Sequence, residues 1–467
     1  MKKILCCFMC VLAVFIMISC AGTEIEIVPE YDNALSDAAV DLRGSEIVFG
    51  WDTGRNGSTL GYIEGTDFGD MAAQRVKDVE NLYNCKLSFV NKDSIGSHAY
   101  INAISGTYVY DAVAQATFGL VNYMRANAFQ DLVPIQSLDV FDETKWGSRY
   151  LRISTMFDDS VYGIIPAALP MRTFDSELNI ICVNEDYVDA VSETDPRDYF
   201  ENGEWNWDTF EHCLTHFAQT NNSNEYVYSF MSGFGGFSRD VALCNGNTFV
   251  TFKDDGSYEL GYFTPTAIDA YNRCYDWFYG SFASYVSDYY KPDLFAAGGA
   301  VMHYTNTNQL FATTNSLAFH LENLGVVPIP LGPNAKDPSD YRTSYASGAY
   351  TVCVPLTTKD AEATALVLDG LFEPFEGYET KESIIDYLTR YYFTDRRDSE
   401  FMYELTTGPH TLYHDHHHGM STMFDQIPNG GVATTVESYR SAIYEAAETY
   451  VISMYETLND LNDRFHN

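Results

Sequence analysis

"GEWNWDTFEHCLTHFAQ", Gly203 to Gln219, reads as a turn that opens into a helix. Asp208 is placed to cap that helix, and Glu211, three residues on, completes a capping-box pattern. Phe210, Cys213, Leu214 and Phe217 recur at helical spacing and form one apolar face. Trp205 and Trp207 stand just before it, where their bulk staples the incoming chain onto the helix; both are read as structural. His212 and His216 lie four apart, but without the glutamate of H-E-x-x-H they read as a solvated face.

The alternation of helix and strand continues on both sides. Upstream, "EIVFG" (Glu46–Gly50), "KLSFV" (Lys86–Val90) and "DAVAQ" (Asp111–Gln115) read as strands. A helix with Ala72, Val76, Val79 and Tyr83 on one face lies between the first two, and another precedes the third. "VYGIIP" (from Val161), "LNIICVN", "AVMHY", "LGVVPIP" and "GAYTVCVP" read as a second set of buried strands, and "TFVTFKDDGSYELGY" as a hairpin with Asp255 and Gly256 in its turn. Ala361, Ala365, Leu368 and Phe372 mark a further helix, and Val436 to Leu458 predicts one long C-terminal helix with a core-facing stripe. Trp277, in "YDWFYGSF", reads as helix core. The class is α/β, with a mostly parallel sheet and helices on its faces.

The chain has 467 residues, a length that suggests about two or three domains. Acids outnumber bases, 65 to 27, for a formal net charge of −38. That surface repels phosphate backbones and anionic lipid, which excludes nucleic acid as an expected partner. Lys2 and Lys3 precede an apolar run from Ile4 to Ile18, a secretory leader expected to span residues 1–19. Met17-Ile18-Ser19-Cys20 resembles a bacterial lipobox, with methionine where leucine is usual. The resemblance implies lipidation of Cys20 and anchoring on the extracytoplasmic face of the cell membrane. Two acyl chains suffice for stable anchoring, since each buried CH₂ contributes about 0.8 kcal/mol. Residues 20–43 then form a flexible acidic tether. Cys85, Cys182, Cys213, Cys244, Cys274 and Cys353 are widely spaced within mostly apolar runs and read as buried thiols, although the compartment permits one or two disulfides.

The Gly203–Gln219 stretch also resembles the "G-x-W-T-W-D-D-F" segment of extracellular solute-binding proteins of sugar-type ABC importers. "VYGIIP", "LNIICVNEDYVDA", "LFAAGGAVMHY", "LGVVPIPLGP" and "SGAYTVCVPLTT" resemble further segments of that family, in the family's order, with Gly299 where lysine is common. The resemblance implies a two-lobed periplasmic-binding-protein-like fold with a multi-crossing hinge and a central cleft. Carried over, lobe one takes 44–157 and 350–410, and lobe two takes 158–349 and 411–467. It implies capture of a mono- or oligosaccharide by hinge closure, delivery to the transmembrane subunits of an ABC permease, a monomer, no cofactor and no catalysis.

Open α/β sheets bind ligands beyond the carboxyl ends of their strands. That rule selects Trp51 and Asp52, Gln115 and Thr117, Tyr304 and Asn306, and, where the chain re-enters lobe one, Ser347 and Gly348. A ring covers a sugar's C–H face, and carboxylates and amides take its hydroxyls. "MSGFGGFS" (Met231–Ser238) suits a cleft loop, not a phosphate loop, because it lacks G-K-[ST]. Two competing readings remain. His414, Asp415, His416 and His418 concentrate zinc-type donors, so a metal-binding or metal-delivering lipoprotein is one alternative. A secreted glycoside hydrolase using a carboxylate pair is the other, although no local signature marks that pair and no G-x-S-x-G elbow is present.

Overall fold

The computed structural model describes residues 40–466 apart from 118, 288–290, 312–316, 336, 338–339, 346–349, 409–410 and 414–419. The expected leader, Cys20 and most of the expected tether therefore lie outside the described residues. The last tether residues do not hang free. Leu42 packs against the core, and its N–H donates to the Tyr83 carbonyl at 2.8 Å.

The first sheet forms from β1 (Ser45–Trp51), β2 (Cys85–Asn91) and β3 (Ala112–Ala116), all parallel, with β1 between the other two. The helix between β1 and β2, α1 (Asp67–Tyr83), is capped by the Thr66 side chain, which accepts from Gly69 N at 3.2 Å. It buries Ala72, Val76, Val79 and Tyr83, the face that the spacing predicts. α2 (Ile95–Ile104) leads into β3.

The second sheet is built by β4 (Asn179–Asn184), β5 (Tyr226–Ser232), β6 (Ser284–Val286), β7 (Ala300–Asn306) and β8 (Leu324–Val327), in the spatial order β6-β5-β7-β4-β8. β5 runs parallel to β6 and β7, whereas β4 is antiparallel to both β7 and β8. The sheet is thus mixed rather than mostly parallel. The hairpin Val250–Phe252 with Tyr258–Leu260 forms as expected, and Gly256 takes φ +81° in its turn, a conformation that costs a glycine little. "VYGIIP" contributes only the two-residue strand Ser160–Val161 and an isolated bridge from Ile164 to Val352.

The informative helix is α3 (Trp207–His216), and its cap differs from the sequence expectation. Asn206, not Asp208, accepts from the backbone of residues 208 and 209, and Thr209, not Glu211, closes the capping box. Glu211 instead accepts from the Trp277 indole at 2.9 Å. Trp205 is fully buried and donates to the Pro328 carbonyl, as a structural residue should. The "MSGFGGFS" stretch ends β5 and opens α4 (Phe234–Leu243), a largely buried helix rather than a loop. Trp277 is core on α5 (Pro265–Tyr279).

Two further strands connect the sheets. β9 (Thr343–Tyr345) leads from β8 to β10 (Tyr350–Cys353), which joins the first sheet antiparallel to β3. After α6 (Ala361–Leu371), α7 (Lys381–Tyr391) and α8 (Arg396–Thr407), the chain passes through β11 (Thr411–Tyr413), which lies parallel against β9. α8 packs on β8 of the second sheet, where Asp398 accepts from Val326 N at 2.8 Å. The segment expected for lobe one therefore serves the first sheet at its start and the second at its end. The C-terminal stripe is divided between α9 (Val432–Tyr450) and α10 (Ile452–Leu461), broken at Val451, whose φ of −123° departs from helical geometry. The break lets α10 pack on residues 153–157, and the chain end joins Phe141 through the His466 N–H. From Val40 onward the two sheets belong to one compact unit.

All six cysteines described are free thiols, and all but Cys85 are buried. Among the described residues, no helix is long and apolar enough to cross a membrane.

Candidate ligand-binding site

A cavity of about 640 Å³ lies beyond the carboxyl ends of β1 and β7. The loop after β1 supplies Arg55, Gly61 and Tyr62, and the short helix Thr307–Phe311 after β7 supplies Asn308 and Phe311. The turn before β4 supplies Arg172, Phe174 and Asp175, and Tyr387, Tyr391 and Tyr392 close one side. The volume falls within the range of small-molecule sites, which is about 300–1,000 Å³.

One carboxylate organises the polar wall. Asp175 accepts from Arg55 at 2.7 Å and from Arg172 at 3.1 Å. The first bond ties the loop after β1 to the turn before β4, and so joins segments of the two sheets. Arg55 also lies over the Tyr350 ring, 4.5 Å from its centroid, and Arg172 lies over Tyr62 at 3.8 Å, geometries that suit cation–π attraction. Burial pushes the Tyr62 phenol up to about 12, with Arg172 working against it. Its hydroxyl donates to the Pro170 carbonyl, so Tyr62 presents its ring rather than its oxygen. Gly61 takes φ +84°, a conformation strained for any side chain, and a Cβ there would stand a tight 3.1 Å from the Arg172 guanidinium and 3.3 Å from Trp51.

The residues that the strand-end rule selects fall into three groups. Trp51, Asp52, Gln115 and Thr117 come together at the carboxyl edge of the first sheet. Trp51 is 2% exposed and stacks on Tyr350 with centroids 5.8 Å apart, so it is a core ring instead of an open platform. Asp52 is half-buried; burial raises its pKa, and its carboxylate accepts from Ile95 N at 3.3 Å. Gln115 is buried and donates toward the Cys353 sulfur at 3.6 Å. The Trp51 indole N–H and the Thr117 hydroxyl are buried without a hydrogen-bond partner among the described residues.

Tyr304 and Asn306 lie on β7 in the second sheet. Tyr304 is fully buried and donates to Asp240 at 2.7 Å, which makes it a structural residue. The Asn306 side chain accepts from Gln309 N at 3.0 Å and caps the short helix that faces the cavity. Ser347 and Gly348 form the third group and lie outside the described residues, as do His414, Asp415, His416 and His418. Among the described residues, no three His, Cys, Asp or Glu side chains cluster as a metal site would require.

Arg55, Tyr62, Arg172, Asp175 and Phe311 were not selected from sequence. Arg55 had a usable signal, because it sits in the same post-strand loop as Asp52. Tyr62 lies further along that loop and Phe311 on the short helix after β7, whereas Arg172 and Asp175 precede β4, where no strand-end rule reaches.

A second cavity, of about 740 Å³, is lined by Lys145, Trp146, Asp369 and Glu373. Its buried cation is already committed to Asp369 at 2.7 Å and to Glu373. It opens at no strand terminus, so the smaller cavity is the better candidate.

No family model matches the chain, and no curated protein matches it. Solved structures do. A sugar transporter of Rhizobium etli in an open conformation aligns with a TM-score of 0.61 at 14% identity, over 85% of this chain and 99% of that one. An ABC substrate-binding protein of Listeria monocytogenes in complex with cycloalternan aligns at 0.54 and 16%, over 87% and 99%. The fold is that of the two-lobed ABC solute-binding proteins. A solute-binding protein of Thermotoga lettingae bound to α-D-tagatose also shares this solute-binding fold, at 0.52 and 11%, over 87% and 100%. The mixed second sheet and the antiparallel return of β10 are therefore features of a chain that threads between two α/β halves. The Listeria and Thermotoga structures are those of binding proteins.

Proposed function

We propose that the chain is the extracytoplasmic solute-binding subunit of an ABC importer, which captures a carbohydrate by hinge closure and hands it to a membrane permease. One observation carries this reading. The cavity beyond β1 and β7 is walled by segments of both sheets and combines aromatic faces with the Arg55–Asp175–Arg172 cluster. Rings suit the apolar faces of a sugar, and guanidinium and carboxylate groups suit its hydroxyls. The likeness to sugar-binding proteins along most of the chain supports the same conclusion.

In this proposal lobe one comprises 44–157 and 350–410 and lobe two 158–349 and 411–467, with α8 and α10 packed across the division. The hinge comprises β9, β11 and the segment after residue 158. Closure is driven only by contacts that exist in the closed form. Asp52, Gln115, Thr117 and Asn306, with Ser347 and Gly348, are proposed as further ligand contacts on closure, while Trp51 and Tyr304 are core residues. A ligand or water oxygen near Trp51 and Thr117 would satisfy their unpaired groups. A lipid on Cys20 holds the monomer beside its permease, which raises the effective concentration of the two partners.

The test is a thermal-shift screen of the secreted chain against a sugar panel, with and without EDTA. A saturable rise in Tm with one sugar class, unchanged by EDTA, is expected. A large fall on chelation, with no response to any sugar, overturns the reading.

A further inference from the structure

Seven aromatic rings line the candidate cavity, and five of them belong to a packed row that continues outward to Phe319. The row begins at Phe174, which is 3% exposed. Phe174 meets Phe311 with centroids 4.7 Å apart, and Phe311 meets Tyr392 at 5.0 Å. Tyr392 then meets Phe319 at 5.6 Å, with ring planes inclined by 36°. A side branch runs from Tyr387 to Tyr391 at 4.8 Å. Exposure climbs along the row to 65% at Phe319 and 50% at Tyr391.

That gradient distinguishes the row from core packing. A core cluster buries its outer members, whereas this one ends on two exposed rings, Phe319 and Tyr391. Exposed aromatic surface that continues a pocket's lining marks a binding surface. The polar groups, by contrast, are concentrated at the inner end, where Arg55 and Arg172 share Asp175. A monosaccharide held at that cluster would leave Phe319 and Tyr391 unused.

We propose that the ligand is an oligosaccharide, one end of which is held at the Arg55–Asp175–Arg172 cluster while later sugar rings stack along Phe311 and Tyr392 and out onto Tyr391 and Phe319. This rests on the carbohydrate reading above and goes further by fixing chain length. The inner cluster sets which sugar unit is recognised, and the outer rings select for how many units follow it. Aromatic faces tolerate differences among hydroxyls, so the outer subsites discriminate weakly between sugar types.

The test is isothermal titration of the full chain with gluco-, xylo-, manno- and galacto-oligosaccharide series, each from the monosaccharide to the hexasaccharide. Wild type is compared with the Phe319→Ala/Tyr391→Ala double variant, whose unchanged Tm confirms folding because both rings are exposed. In the series that binds, affinity is expected to rise with length and then level off. The double variant is expected to lose about fivefold to tenfold on the longer members and nothing on the shortest. Equal affinity for monosaccharide and oligomers, or a double variant that is silent at every length, overturns this inference and leaves the carbohydrate reading intact. Failure of every series to bind the wild type overturns both.

Discussion

The second sheet buries carboxylates, and the cavity displays one. Asp240 is fully buried and accepts from the Tyr304 hydroxyl at 2.7 Å, from Asn179 at 2.9 Å and from Ser344. Those partners come from β7, β4 and the connecting strand β9, so Asp240 fastens a sheet-to-sheet crossing to the second core. Asp175 also joins distant segments, but through arginines at the edge of an open cavity, with a fifth of its own side-chain surface exposed. Asp240 suits a permanent weld, and Asp175 suits a contact that can open. The physical difference is water. A buried group loses its whole bond when a partner goes, whereas an exposed one exchanges it for solvent.

The largest expected effect tests the weld. Asp240→Ala removes the common acceptor of Tyr304, Asn179 and Ser344 in a site closed to water and should cost about 3–5 kcal/mol of unfolding free energy. Chemical denaturation measures it, with Asp240→Asn retaining part of the loss. A cost near zero would remove the distinction between the two carboxylates.

A second buried carboxylate sharpens the comparison through pH. Burial pushes Asp398 up to about 7, with Arg197 and the Val326 N–H working against it. Arg197 cannot offset that burial alone, because Asp195 and Glu185 share the same guanidinium. The folded state thus holds the Asp398 proton more tightly than the unfolded chain, where the pKa is about 3.9. The stability this provides is fully present below the unfolded value and is lost as pH rises through about 7. Across that window, wild type should lose stability relative to Asp398→Asn, read as Tm against pH. Parallel profiles would show that the site does not titrate.

The smallest effect on stability is expected at the cavity. Asp175→Asn should cost less than Asp240→Ala, about 1–2 kcal/mol, since the pair is partly buried but borders an open cavity and the amide keeps an acceptor oxygen. Ligand affinity should fall severalfold in the same variant, because both arginines lose their common anchor. A stability loss equal to that of Asp240→Ala would make Asp175 a weld as well.

The sequence was most legible where one local rule sufficed. Spacing alone located α1 and its buried face, and Asp255-Gly256 located the hairpin turn. The order of short segments around Gly203–Gln219 indicated the two-lobed fold. The helix cap shows where such reading stops. Asn206 and Asp208 are both good caps, and the choice depended on the path by which Trp205 enters the core. The same limit applies to Tyr304. Its position at a strand end suggested a ligand contact, but a buried carboxylate sixty-four residues earlier claims its hydroxyl.

What the amino-acid order determined by itself was periodicity, turn chemistry, the excess of acidic residues and the apolar N-terminal run, because each is read from the residues themselves or from neighbours a few positions away. Only the tertiary structure decided that Trp51 is core, that Arg55 and Arg172 meet at Asp175, and that an aromatic row runs out to Phe319 and Tyr391. Those residues come from separate segments, and their juxtaposition is set by packing between sheets and helices rather than by any local preference.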